Sequence, residues 1–236
     1  MGSIRFLLAI SVLVHHSRSS LFGFDFVGGP LGVELFFVIS GFYIALILNE
    51  KYDFPGGLWA YGSNRALRIY PLYLLVFGVA VFAAPFFSAS KALVVTTYYA
   101  HDNWANLPLW SKTYVGLSSL FLFGQEVSHF VGVDADGGVK FKLFGLNGNF
   151  LIAPAWSLSV ELTFYVLAPF LVKNLLRLWL CFVVLLFARM AFGTLGYDPW
   201  VYRSTIAQMP LFLGGALAYH YREQLAGGGA SSCSVS

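Results

Sequence analysis

The sequence predicts an all-α fold, a polytopic bundle of transmembrane helices. Three observations lead there. Of its 236 residues 58% are hydrophobic and only 11% charged, with a mean hydropathy of +0.72, whereas a soluble domain is about 25% charged. Apolar stretches reach the roughly 20 residues that a helix needs to cross ~30 Å of hydrocarbon. Aromatic residues make up 18% of the chain, which suits lipid-facing surfaces and interfacial belts. The net charge of +3 is scattered, and no two Lys or Arg are adjacent, so a nucleic-acid surface is excluded.

The first apolar run, Ile4 to Val14, reads as a short transmembrane helix. It is not a signal peptide, because His15, His16 and Arg18 follow it instead of a small-residue cleavage site. The stretch from Gly28 to Leu48 opens on a Gly-Gly-Pro turn and carries one carboxylate, Glu34; the second helix runs from about Pro30 to Leu48. A polar stretch from Asn49 to Arg68 holds Lys51, Arg65 and Arg68 against Glu50 and Asp53, which marks it as cytoplasmic under the positive-inside rule. The third helix spans about Ala66 to Phe86, with Pro71 in its first turns.

Between Ser88 and Asn149 lie two short apolar segments, Lys91 to Ala100 and Tyr114 to Gly124, each of a length that fits a re-entrant or interfacial piece as well as a span. Counting both as spans makes Lys173 and Arg177 cytoplasmic, and the positive-inside rule favours that parity. Spans at Leu151 to Val172, Leu178 to Phe192 and Trp200 to Tyr219 follow, for six clear helices or seven to eight generous ones. One membrane domain over 1–222 and a disordered polar tail over 223–236 are expected. No internal repeat is visible, which weighs against an inverted-repeat transporter. Cys181 and Cys233 belong to no metal-ligand pattern, and no metal or tightly bound cofactor is expected.

Helix geometry singles out four groups. Arg5 and His16 are 11 residues apart, about three turns, so they share one stripe of the first helix within about 20°. His15 points about 100° away. His16 is either an interfacial histidine or a general base, since imidazole titrates near neutral pH. Glu34 is either the carboxylate that orients that base or a first-turn acid favoured by the helix dipole. Arg65 and Arg68 share a face at i, i+3; they read as topology anchors or as a phosphate clamp. Ser157, Glu161 and Tyr165 form a polar stripe at i, i+4, i+8. Glu161 lies mid-span, where an ionised carboxylate costs roughly 2.5 kcal/mol or more unless it faces protein or water. A capping box does not explain it, because Leu158 holds the position that would need Ser or Thr.

The chain resembles the acyltransferase-3 family of integral-membrane acyltransferases. The resemblance rests on Arg5 and His16, on GVELFFVISGFYI from Gly32 to Ile44, on RALRIYPLYLL from Arg65 to Leu75, and on PAWSLSVELTFYVLAP from Pro154 to Pro169. It implies transfer of an acyl group, commonly acetyl, from acyl-CoA as co-substrate to a hydroxyl of a surface or lipid-linked saccharide. It implies catalytic roles for His16 and Glu161, with Glu34 a catalytic candidate from its position alone, and donor binding by Arg5, Arg65 and Arg68. Ser157 and Tyr165 are expected at the substrate. It also implies a multi-pass protein of the bacterial inner membrane. Family members carry more helices than are counted here, so closing C-terminal helices are expected to be missing, with a homodimer as one way to cover the open side.

Two other function classes stay open at this point. A proton-coupled transporter would use Glu161 and His16 as a relay, and an inactive homologue would only bind partners. No GxSxG elbow or zinc-ligand run supports a hydrolase.

Overall fold

The computed structural model describes residues 2–17, 27–87, 109–133, 139–141, 152 and 154–225. These form helices α1 (Gly2–Ser17), α2 (Gly29–Glu50), α3 (Gly57–Phe87), α4 (Leu109–Phe121), α5 (Ala155–Leu171), α6 (Leu175–Gly193), α7 (Thr205–His220) and the single turn α8 (Arg222–Leu225). A 3-10 turn, Gln125–His129, precedes a small antiparallel hairpin of β1 (Val131–Val133) and β2 (Val139–Phe141), with Val131 opposite Phe141. The fold is an all-α bundle of membrane character. Among the described residues three helices are long and apolar enough to cross a bilayer, Gly29–Glu50, Gly57–Phe82 and Leu175–Gly193. Ser3–His15 and Ala155–Leu171 are shorter apolar helices.

Two segments differ from the sequence expectation. Helix α3 begins at Gly57 rather than Ala66, because Tyr61 and Arg65 are buried and packing, not polarity, decides that segment. Pro71 therefore lies in the helix interior, where it removes one backbone donor without ending the helix. The expected span from Trp200 to Tyr219 is instead a π turn, Tyr197–Val201, followed by α7. Of the two short segments, Lys91 to Ala100 lies outside the described residues, and Tyr114 to Gly124 falls largely on α4. Residues 226–236 of the expected tail also lie outside them.

Helix α2 is the centre of the bundle. It enters through Gly28, whose φ of +80° suits glycine, and it packs against both α1 and α7. The α2–α7 crossing is a backbone contact. A methyl group built on Gly41 would sit 1.9 Å from the Phe212 carbonyl oxygen, and one on Gly215 would sit 1.9 Å from the Val38 carbonyl oxygen. Small residues let membrane helices approach this closely and gain dispersion contact where no hydrophobic drive exists between them. Beside the crossing the Phe212 ring is stacked between Phe37 at 4.6 Å and Phe164 at 4.4 Å, which ties α2, α5 and α7 into one core. By contrast, α6 buries only Leu178; its outer side chains, among them Leu176, Val184 and Phe187, suit lipid contact.

One end of the bundle gathers the basic connections. Lys173 Nζ lies 2.6 Å from Asp53 Oδ1, and Arg222 Nη2 lies 3.2 Å from Glu50 Oε1. The turns after α2, α5 and α7 therefore meet, with Lys51 and Arg177 nearby in sequence. Helix α3 leaves that end and α5 returns to it.

The glycine crossing yields a stability test. Gly41→Ala and Gly215→Ala are expected to lower stability in detergent by about 1–3 kcal/mol or more, since the new methyl meets backbone that cannot rotate away. Gly62→Ala, with nothing within 4 Å of its added carbon, should be neutral or stabilising by up to ~1 kcal/mol. Thermal unfolding of the three purified variants checks this, and equal midpoints for all three would refute the close-approach account.

Candidate functional site

The mid-span glutamate of α5 is held by three donors on one oxygen. Arg5 Nη2 from α1 donates to Glu161 Oε1 at 3.0 Å and to Ser40 Oγ at 2.8 Å. Ser40, halfway along α2, in turn donates to Glu161 Oε1 at 3.2 Å. Tyr165 donates to the same oxygen from one turn further along α5. The Arg5 and Glu161 side chains are 10% and 5% exposed, so this is a buried ion pair, and its hydrogen bonds offset the desolvation that would otherwise outweigh the attraction. Phe36 lies under the Arg5 guanidinium at 4.5 Å from ring centroid to carbon, a further favourable contact for a desolvated cation.

Two cavities border this cluster. The larger, about 310 Å³, is lined by Arg5, Arg68, Tyr73, Glu161 and Tyr165 with an apolar wall that includes Ile69, Leu72 and Leu158. The smaller, about 200 Å³, lies between α1, α2 and α5 and reaches Leu8, Val12, Ser157 and Glu161. Glu161, Phe36 and Leu158 line both.

The structure brings Arg5 from α1 to Glu161 and Tyr165 on α5, with Arg68 on the wall of the same cavity; the sequence places Glu161 and Tyr165 on one stripe but pairs Arg5 with His16. The structure separates others. Ser157 donates to the Pro154 carbonyl at 2.9 Å and reaches the smaller cavity rather than the Glu161–Tyr165 pair. Arg65 is buried at 7% exposure and does not line either cavity. Glu34 is bound by Arg189, whose Nη2 lies 2.8 Å from Glu34 Oε1 and whose Nη1 donates to the Ala207 carbonyl at 2.7 Å. The Tyr197 hydroxyl donates to the same Glu34 oxygen at 3.4 Å; burial first, and then the Glu34 carboxylate, push that phenol above its usual range. Glu34 thus ties α2 to α6 and α7. His16 lies in the last turn of α1, and its side chain lies outside the described residues. His15 packs onto the backbone at Gly29, where an added methyl would meet its ring.

Several polar residues at the centre were not singled out from the sequence. Ser40 is a lone hydroxyl in an apolar helix and carries little signal. Arg189 was visible by the argument applied to Glu161, a charge inside an apolar run. Glu126 is buried on the opposite face of α5 and accepts from Ser159 Oγ at 2.5 Å and Thr205 Oγ1 at 2.8 Å, which fastens the 3-10 turn to α5 and α7.

The fold and this site define a helical membrane protein with an ionic centre open to a cavity. The chain belongs to the acyltransferase-3 family, whose model, described as an acyltransferase domain, matches residues 2–234. Curated relatives from Staphylococcus aureus strains COL and MSSA476, each named "Putative O-acetyltransferase", are 25% identical over 178 residues, which is 75% of this chain and 25% of each relative. The chain therefore spans about a quarter of the length of the curated relatives it matches. No solved structure matches the chain.

Removing one partner of the central ion pair leaves the other charge buried alone. Arg5→Ala is expected to destabilise the protein by about 3–5 kcal/mol, whereas Glu161→Gln, which keeps an acceptor for Ser40 and Tyr165, should cost less. The double variant Arg5→Ala/Glu161→Gln should recover part of the single Arg5→Ala loss. Unfolding midpoints in detergent decide this; strictly additive losses would mean that the pair is not coupled.

Proposed function

We propose that this chain transfers an acyl group, acetyl foremost, from acyl-CoA to a saccharide hydroxyl at the membrane. The observation that carries this reading is the Arg5–Glu161 ion pair at the border of a cavity that also holds Arg68, in a chain whose family is described by acyl transfer. The relatives' printed names support acetyl as the group and oxygen as its acceptor. Family membership also favours transfer over proton-coupled transport.

In this reading the exposed guanidinium of Arg68 meets the phosphates of the donor, which arginine binds through its planar fork. His16 takes the proton of the acceptor hydroxyl as its oxygen attacks the thioester carbonyl. The carbon–sulfur bond breaks, the CoA thiolate leaves, and the proton passes from the imidazole to that thiolate. A route through an acylated histidine gives the same products. Arg5 fixes Glu161 at the centre, and Tyr165 completes its hydrogen bonding. The acceptor is a surface or lipid-linked saccharide, and the protein is multi-pass in the bacterial inner membrane, with the Lys51, Lys173 and Arg222 end cytoplasmic.

The test is mass spectrometry of surface glycans from cells with and without the protein. An acyl mass increment that depends on expression is expected, and proton-coupled uptake without any increment would overturn the reading. His16→Ala is expected to abolish transfer at near-normal abundance in the membrane, while His15→Ala should be much milder. Substantial activity in His16→Ala would remove His16 from the base role.

A further inference from the structure

Arg65 and Arg68 sit three residues apart and look like one clamp, yet their surroundings have little in common. Arg68 is exposed and lines the larger cavity. Arg65 is buried, and its guanidinium carbon lies 5.6 Å from the Tyr43 ring, 5.8 Å from the Tyr165 ring and 6.0 Å from the Tyr61 ring. Among the described residues it makes no ion pair with a carboxylate, and its Nε and Nη1 are buried without a hydrogen-bond partner. Three aromatic faces are what this desolvated cation has in place of an anion. Each such contact stabilises a buried cation.

The box is mechanically joined to the ionic centre. The Tyr61 hydroxyl donates to the Tyr165 carbonyl at 3.0 Å, and the Tyr165 hydroxyl donates to Glu161. A cation against the Tyr165 ring draws electron density from the phenol and strengthens its O–H as a donor. Arginine suits this position because its flat guanidinium can lie against rings, which the ammonium of lysine cannot match.

We infer that Arg65 is a positioning residue, which acts through the Tyr165 ring to hold the Glu161 carboxylate, and that of the Arg65–Arg68 pair it is Arg68 that meets the donor. This rests on the acyl-transfer reading for its kinetic consequences but not for its geometry. In a transfer assay, Arg65→Met should lower kcat by about tenfold or more with the donor KM within about twofold, the signature of a contact that matters in the transition state. Arg68→Ala should instead raise the donor KM. Arg65→Met combined with Tyr165→Phe should be little worse than Tyr165→Phe alone, because both cut the same link. Arg65→Lys should recover only part of kcat. A raised donor KM in Arg65→Met with unchanged kcat would show a second clamp arginine, and multiplicative loss in the double variant would show that Arg65 does not act through Tyr165.

A second measurement stands apart from activity. With 3-fluorotyrosine placed at position 165, the fluorine resonance of the purified protein in detergent should move in Arg65→Met and in Glu161→Gln, and stay in place in Arg68→Ala. An unmoved resonance in Arg65→Met overturns the positioning role even if the wild type transfers acyl groups well. Absence of transfer in the wild type, with the resonance moving as expected, would overturn the acyl-transfer reading and leave the positioning role standing.

Discussion

The pairing of Arg5 with Glu161 is the constraint around which the bundle is arranged. An ionised acid halfway along an apolar helix has to face protein, and here it faces α1 and α2 at once. That requirement sets the rotation of α5 about its axis. Ser159, nearly half a turn away, then points to Glu126 and Thr205, and Phe164 points to Phe212. The same rotation leaves Val166 and Phe170 exposed. A single buried charge thereby assigns every face of α5.

Helix α2 supplies the complementary surface through small residues. Ser40 offers a hydroxyl to the ion pair, and the next residue, Gly41, offers bare backbone to α7. Either position with a large side chain would force its neighbour helix outward. The adjacent pair reconciles two demands that usually conflict in membrane bundles, polar satisfaction on one side and close backbone approach on the other.

Much of this was legible in the sequence, and the exceptions have physical causes. The all-α membrane character and the order of the described helices followed from apolar run length, because in hydrocarbon the backbone has few alternatives. Glu161 and Tyr165 were legible as a stripe, since i, i+4 spacing fixes a shared face, and Arg5 was singled out with His16 on α1. Ser157 lies on that nominal stripe too, but at the first turn its hydroxyl is captured by the free Pro154 carbonyl. Glu34 was placed near the histidine by chain order, yet its partner Arg189 comes 155 positions later, a pairing that no local pattern encodes. The Arg65–Arg68 pair shows the limit of helical spacing: it gives direction about the axis, not what stands opposite at each level. The early start of α3 was hidden by Asn64 and Arg65, whose polarity suggested a loop while the tyrosines beside them demanded a helix.

The sequence distance across the central ion pair has a consequence for synthesis. Arg5 and Glu161 are 156 positions apart, and ribosomes add about 5–20 residues per second, so roughly 8–30 s separate the two residues at the peptidyl-transferase centre. Through that interval α1 carries a cation whose anion does not yet exist. Near the end of its helix, the long side chain can reach toward the headgroups and wait there. Helix α1 is thus held in the bilayer by its leucines and isoleucines well before anything fixes its depth or rotation. Its final register is set late, by the arrival of a helix from the other half of the chain.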